Sequence, residues 1–92
     1  SLNYPKGFKL YQNYPNPFNP DTEIKFKIPR SCHVTLDVYN LLGERVKRLL
    51  DNIKPAGVHK INFDGTTLTS GIYYYRIKAD NFVETKKCLF LK

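Results

Sequence analysis

Hydrophobic and polar residues alternate along most of this chain with a period of two, which is the period of a β-strand. Apolar residues spaced three and four positions apart, as on one face of a helix, are nearly absent. Gly, Pro, Asn and Asp interrupt the alternation about every ten residues, as turns do in all-β domains. The pattern therefore predicts an all-β fold.

The alternation predicts one short strand and six long ones, over 8–11, 22–28, 32–39, 44–50, 57–63, 71–79 and 82–91. About seven such strands favour an immunoglobulin-like antiparallel β-sandwich, and a closed barrel is the alternative fold. The segment 44–50 breaks strict alternation, so we expect a bulge or an edge position there. We interpret residues 51–56 as a polar link. The inward face of the last strand stays unassigned, because both of its faces are apolar near the end.

Glycine and Asx residues mark the turns between these strands. Gly43 should supply a positive φ in the turn after 32–39, and Gly71 is a second candidate for such a φ. We expect Asp80-Asn81 to form a hairpin turn, since Asp and Asn tolerate left-handed geometry. Leu68, in a loop, is expected to close one end of the core.

Length and composition indicate a single globular domain. The chain has 92 residues, of which 41% are hydrophobic and 25% charged. We divide it into a linker at 1–7 and a folded domain at 8–92. No apolar stretch approaches the roughly 18 residues of a transmembrane helix, and no signal peptide is recognisable. Because the chain does not begin with Met, we expect it to be a piece of a longer protein.

The net charge is +7, from fifteen Lys and Arg residues against eight Asp and Glu residues. Such a balance permits weak attraction to phosphates or anionic glycolipid. The longest basic runs are the pairs Lys47-Arg48 and Lys86-Lys87, and acidic residues interrupt the rest. Nucleic-acid sites need clustered cations, so we expect a solvated surface with lysines guarding the sheet edges instead.

The sequence lacks the convergent groups of an active site, so we predict a protein that is not an enzyme and has no cofactor. His33 follows Cys32, but neighbours on a strand point to opposite faces and cannot pair as nucleophile and base. His59 alternates in phase with apolar residues and is expected to be partly buried. Gly-rich phosphate loops and metal-ligand strings are missing. For Cys32 and Cys88, one long-range disulfide and two free buried thiols both remain open.

The aromatic run Tyr73-Tyr74-Tyr75 raises the question of base or sugar stacking. Alternation places Tyr74 on one face with Arg76, and Tyr73 with Tyr75 on the other. No platform of three rings can then form, so we expect Tyr73 and Tyr75 to pack in the core.

The segment from Tyr14 to Asp21 holds three prolines within six positions, which excludes a helix and a central strand. It has two interpretations. The segment can be a stiff strap that covers one end of the sandwich, with Phe18 as its apolar anchor. It can also be a pre-ordered recognition surface that loses little entropy on binding.

The proline-rich string is YPNPFNPDT at 14–22, followed by IKF at 24–26. Further strings follow in order, namely VTLDVYN at 34–40 with Gly43 and Val46, GVH at 57–59, FDG at 63–65, SGIYYYRI at 70–77 and TKK at 85–87. Together they resemble the type A C-terminal sorting domains of the type IX secretion system. The likeness runs from about residue 8 to the end of the chain, and the first string and the tyrosine-rich string are the specific ones.

The resemblance implies a non-catalytic address at the C-terminus of a secreted cargo protein. It implies that an N-terminal cargo domain crosses the inner membrane by an ordinary signal peptide and folds in the periplasm. The outer-membrane translocon and its shuttle proteins then recognise the sorting domain. A sortase-like cysteine protease typically removes the domain at the cell surface, and the cargo is released or attached to anionic lipopolysaccharide. Neither nucleic acid nor a transmembrane segment takes part.

On this interpretation, the two specific strings and the end of the chain are read by the translocon or the sortase. The candidate residues are Tyr14, Pro15, Asn16, Pro17, Phe18, Asn19, Pro20, Gly71, Tyr73, Tyr75, Thr85, Lys86, Lys87 and Lys92. We expect the terminal hairpin, 71–91, to be read by strand addition at a sheet edge. Two other functions stay open. One is an immunoglobulin-like accessory module that spaces a secreted enzyme or binds carbohydrate, and the other is a basic binder of single-stranded nucleic acid.

Overall fold

The computed structural model describes residues 6–92, which form seven β-strands and no helix. The strands are β1 (Lys9–Leu10), β2 (Asp21–Ile28), β3 (Cys32–Tyr39), β4 (Arg45–Lys54), β5 (Gly57–Asp64), β6 (Gly71–Ala79) and β7 (Phe82–Phe90). Six of the seven lie within one residue of their predicted bounds at each end. Residues 1–5 of the predicted linker lie outside the described residues, while Lys6 and Gly7 are exposed in a turn.

Two open antiparallel sheets build the molecule. The three-stranded sheet has the order β1-β2-β5, and the four-stranded sheet has the order β4-β3-β6-β7. Every paired strand is antiparallel to its neighbour. Because the sheets stay open and pack face to face, the predicted sandwich is confirmed and the closed barrel is not formed.

The core lies between the sheets and is made of alternate residues from the long strands. The inward side chains of β2, β3 and β6 include Ile24, Phe26 and Ile28, then Val34, Leu36 and Val38, then Tyr73, Tyr75, Ile77 and Ala79. Successive side chains of a strand point to opposite faces, so the residues between them face outward. Leu68 packs against the core from the loop after β5, as predicted.

β4 is where the sequence prediction was wrong. The strand does not end at Leu50, because Asp51–Lys54 continue to pair with the start of β3, and the predicted link at 51–56 shrinks to a tight connection. The register shifts beside Asp37 confirm the predicted irregularity, and β4 is an edge strand of its sheet. An edge strand lies at the rim of the core, so its inward positions tolerate polar residues and the alternation fades.

The structure assigns the inward face of β7, the strand for which the alternation left this open. Phe82, Cys88 and Phe90 are buried, and the same face carries the half-buried Glu84 and Lys86 between them. The strand ends at Phe90, one residue earlier than predicted.

The predicted backbone conformations at the turns are confirmed. Gly43 has a φ of 81°, Gly71 a φ of 154° and Asp80 a φ of 53°. Asp80 and Asn81 form the two-residue connection between β6 and β7.

The two thiols are free, so no disulfide links them. Cys88 is buried, and Cys32 is half-buried against the core. His33 is exposed on the opposite face of β3, as alternation predicted. The described residues 6–92 contain no group of three His, Cys, Asp or Glu side chains placed to hold a metal ion.

Candidate recognition surface

The proline-rich segment, residues 12–20, is a strap that pairs with the end of β7. The backbone N–H of Phe18 donates to the carbonyl of Leu89 at 3.0 Å, and the N–H of Leu91 donates to the carbonyl of Phe18 at 3.1 Å. Phe18 and Phe90 thereby form an isolated parallel bridge. Two segments that are more than seventy residues apart in sequence therefore form one backbone surface.

Two polar side chains of the strap extend this pairing. The Oδ1 of Asn16 accepts a hydrogen bond from the N–H of Leu89 at 3.0 Å. The Nε2 of Gln12 donates to the carbonyl of Lys87 at 2.7 Å. The strap therefore closes the outer edge of β7 from the carbonyl of Lys87 to the N–H of Leu91.

The side chain of Phe18 anchors the strap in the core. It is 2% exposed, and its ring lies 5.0 Å from that of Phe90 and 5.2 Å from that of Phe63. Burial of one such ring contributes about 1.5–3 kcal/mol, and aromatic pairs add to that. Gly65 makes room for it, since a Cβ there would lie 3.2 Å from the rings of Phe18 and Phe90.

A buried polar cluster holds the other end of the strap. The hydroxyl of Tyr75 accepts from the N–H of Asn13 at 2.8 Å and donates to the carbonyl of Tyr11 at 2.8 Å. The Nδ2 of Asn13 donates to the Oγ1 of Thr22 at 3.1 Å, and that hydroxyl donates to the carbonyl of Pro15 at 2.7 Å. Burial raises the pKa of Tyr75, so its hydroxyl keeps the proton that it donates.

The strap also pairs with β2 through its backbone. Tyr14 and Glu23 exchange two N–H to carbonyl hydrogen bonds, each of 3.0 Å. The peptide bonds before Pro15, Pro17 and Pro20 are cis. With its backbone held on both sheets, the strap leaves the ring of Tyr14 82% exposed.

Comparison with known families now bears on this surface. The family model described as the secretion system C-terminal sorting domain matches residues 12–90. The chain belongs to this family. Its members act as sorting signals rather than catalysts, and the family implies secretion of the attached protein to the cell surface or beyond. Searches of the curated proteins and of the solved structures found no match.

Some of the predicted recognition residues lie on the surface of the sorting domain, and others lie in its core. Nine of them are exposed, namely Tyr14, Pro15, Asn16, Pro17, Asn19, Pro20, Thr85, Lys87 and Lys92. Lys86 and Gly71 are half-buried. The side chains of Phe18, Tyr73 and Tyr75 are buried in the folded sorting domain.

Four residues that build the surface were not among the predicted recognition residues. Gln12 and Asn13 precede the recognised string, and Gly65 stands alone in a loop. Thr22 carried a usable signal, because it alternates in phase with Ile24 and must therefore turn a polar group inward. A buried hydroxyl at that position requires a hydrogen-bonding partner, which Asn13 and the strap provide.

The first half of β7 is the open part of its edge. Both backbone groups of Leu89 point away from β6, towards the strap. In an antiparallel pair such orientations alternate, so the N–H and carbonyl groups of Val83 and Thr85 and the N–H of Lys87 also point outward. Within residues 6–92, no hydrogen bond to these outward groups is formed.

Charged side chains flank this open edge of the sorting domain. The Nζ of Lys86 lies 3.4 Å from the Oε2 of Glu84, and both side chains point to the inner face at the rim. Charged residues that point inward from an edge strand are a known device against indiscriminate pairing of edges.

The part of the chain that the structure describes has no helix able to cross a membrane.

Proposed function

We propose that this sorting domain directs a cargo protein through the type IX outer-membrane translocon, and that the translocon reads the open edge of β7. The edge offers five outward backbone groups between Val83 and Lys87. An extended segment of a partner can pair with such groups by strand addition. The observation that carries the proposal is the pairing of the strap with the end of β7, because it ends the open edge at a defined point.

The strap contributes the second half of the recognition surface. The contact of Gln12 with Lys87 places the start of the strap where the open edge stops. From there the exposed side chains of Tyr14 and Pro17 continue the surface. A partner that pairs with the edge and also contacts these side chains reads the TKK string at 85–87 and the proline-rich string at once. The strap is fixed by hydrogen bonds before binding, so little conformational entropy is lost on recognition.

Membership of the sorting-domain family supports a proposed route for the cargo. In our proposal the cargo crosses the inner membrane by its own signal peptide, folds in the periplasm, and reaches the translocon through shuttle proteins. A sortase-like cysteine protease then removes the domain, and the cargo is released or attached to anionic lipopolysaccharide. The domain itself supplies recognition and no chemistry.

Substitution of Thr85 tests the proposal. Proline there removes an outward N–H that the fold does not use, and proline is tolerated on edge strands where the N–H faces solvent. Thr85→Ala is the matched control, because it loses the same side chain, including the contact with Arg76, but keeps the N–H. We expect a reporter fused to the T85P domain to stay inside cells that have the type IX system, while the T85A fusion is exported. Melting curves of both purified domains verify folding.

Two outcomes count against this proposal. Normal export of the T85P fusion would show that the edge is not read. Normal export of a fusion without any sorting domain would favour the accessory-module alternative instead. Deletion of 85–92, which should also abolish export, is a weaker test. It removes Cys88 and Phe90 from the core and requires circular dichroism as a folding control.

A further inference from the structure

The outward face of the four-stranded sheet carries a groove that the proposed recognition surface does not use. Its volume is about 440 Å³. Asp37 and Tyr39 of β3 form its floor, Arg45 and Arg48 of β4 one side, and Arg76 and Lys78 of β6 the other.

One carboxylate of the groove is already neutralised. Asp37 is 4% exposed, and its two oxygens accept from the Nε and Nη2 of Arg48 at 2.8 and 3.1 Å. This hydrogen bond raises the pKa of Arg48 further, so the guanidinium stays charged. At the end of the groove Asp80 is paired with Arg30 at 2.9 Å. These internal pairs leave other cations of the groove without a counter-charge.

Arg76 is held in place without a carboxylate. Its guanidinium carbon lies 4.7 Å from the centre of the Tyr39 ring, and its Nε donates to the Oγ1 of Thr85 at 3.3 Å. Among residues 6–92, neither Arg76 nor Lys78 forms an ion pair. Arg45 reaches Asp37 only at 3.9 Å, and 49% of its side chain is exposed. The groove therefore presents a positioned guanidinium beside two further exposed cations.

We propose that this groove binds an acidic peptide segment, whose carboxylates pair with Arg76 and Lys78. A guanidinium fork matches a carboxylate in shape and charge, and the bond between Arg48 and Asp37 is an example of that geometry in the same groove. The carboxylates of Asp37 and Asp80 interrupt the cations, which disfavours a continuous polyanion such as nucleic acid or a flat anionic membrane. A peptide with spaced acidic side chains can meet the cations and avoid these carboxylates.

The test titrates the whole 92-residue chain into a fluorescein-labelled peptide that alternates Glu with Ser, monitored by anisotropy. We expect binding that weakens as salt is added. The double variant R76Q/K78Q should lose affinity by at least about tenfold, since hydrogen bonds to charged groups are lost. The matched control K27Q/K60Q removes the same charge from the outer face of the other sheet, and it should bind as the wild type does.

Several outcomes would overturn the proposal. Equal losses in the two double variants would mean that only net charge matters. Equal binding of a peptide with Gln in place of Glu would exclude recognition of carboxylates. Tighter binding of oligothymidylate, or of vesicles containing phosphatidylglycerol, that depends on Arg76 would assign the groove to a different ligand. Amide shift mapping needs no variant. We expect the acidic peptide to perturb residues 35–39 and 76–78, and shifts confined to the strap would contradict the assignment.

Discussion

The backbone N–H of Asn13 donates a 2.8 Å hydrogen bond to the hydroxyl of Tyr75, across 62 positions of sequence. Through this bond a core tyrosine of β6 fixes the start of a strap that has no regular secondary structure of its own. The same hydroxyl donates to the carbonyl of Tyr11, so one buried oxygen serves two backbone groups. The conformation of the strap is therefore set by the core beneath it.

We expect Tyr75→Phe to lower the free energy of unfolding by about 1–3 kcal/mol, because it leaves the N–H of Asn13 and the carbonyl of Tyr11 unsatisfied. Urea denaturation measures this difference. Tyr73→Phe is the matched control, since its hydroxyl donates to the carbonyl of the exposed Thr69 and otherwise contacts only the Oγ1 of that residue, and water can replace both contacts. A loss in Y75F no larger than in Y73F would contradict this role of Tyr75.

The sequence predicted the strands because their period is set locally. Each inward residue of β2, β3 and β6 is flanked by outward ones, so the pattern needs no knowledge of the partner strand. The sequence did not predict the pairing of Phe18 with Phe90, because an irregular segment has no period that reveals its contacts. It also did not predict the end of β4, where an edge position relaxes the alternation. The predicted role of Phe18 as the apolar anchor of the strap is confirmed, while the role of the strap in recognition stays a proposal.

A substitution of Gly71 measures the cost of backbone strain without a contribution from side-chain clashes. Gly71 has a φ of 154°, and a Cβ built there meets nothing within 4 Å, so a larger residue is opposed by the backbone alone. We expect Gly71→Val to lower the stability by about 1 kcal/mol or more. Thermal unfolding measures the change, and Gly71→Ala should show most of the same loss because it meets the same backbone. A melting temperature equal to that of the wild type would refute the strain.

The two thiols should react in a fixed order. Burial raises the pKa of Cys88 to about 12, and its side chain is 1% exposed, so the thiolate is scarce and out of reach of a reagent. Burial also raises the pKa of Cys32, although that residue is only half-buried. We expect iodoacetamide to label Cys32 slowly in the native domain, faster as pH rises, and Cys88 only in denaturant. Peptide mass mapping distinguishes the two, with Cys32→Ser as the control. Native labelling of Cys88 at the rate of Cys32 would contradict the buried position of Cys88 on β7.

The contact between His33 and Asp51 should make the domain sensitive to acid. The Nε2 of His33 lies 2.6 Å from the Oδ1 of Asp51, and this hydrogen bond, with Arg48 nearby, lowers the pKa of Asp51 below its ordinary value of 3.8. A lowered pKa means that the native state binds fewer protons than the unfolded state, so the stabilisation is present above pH 3.8 and is lost as the pH falls through the native value. We expect Asp51→Asn to lower the melting temperature at neutral pH, and the difference from wild type to shrink in acid. Asp21→Asn is the control, because Asp21 forms no ion pair within residues 6–92. A difference between wild type and D51N that stays constant below pH 3.8 would show that the carboxylate contributes no pH-dependent stability.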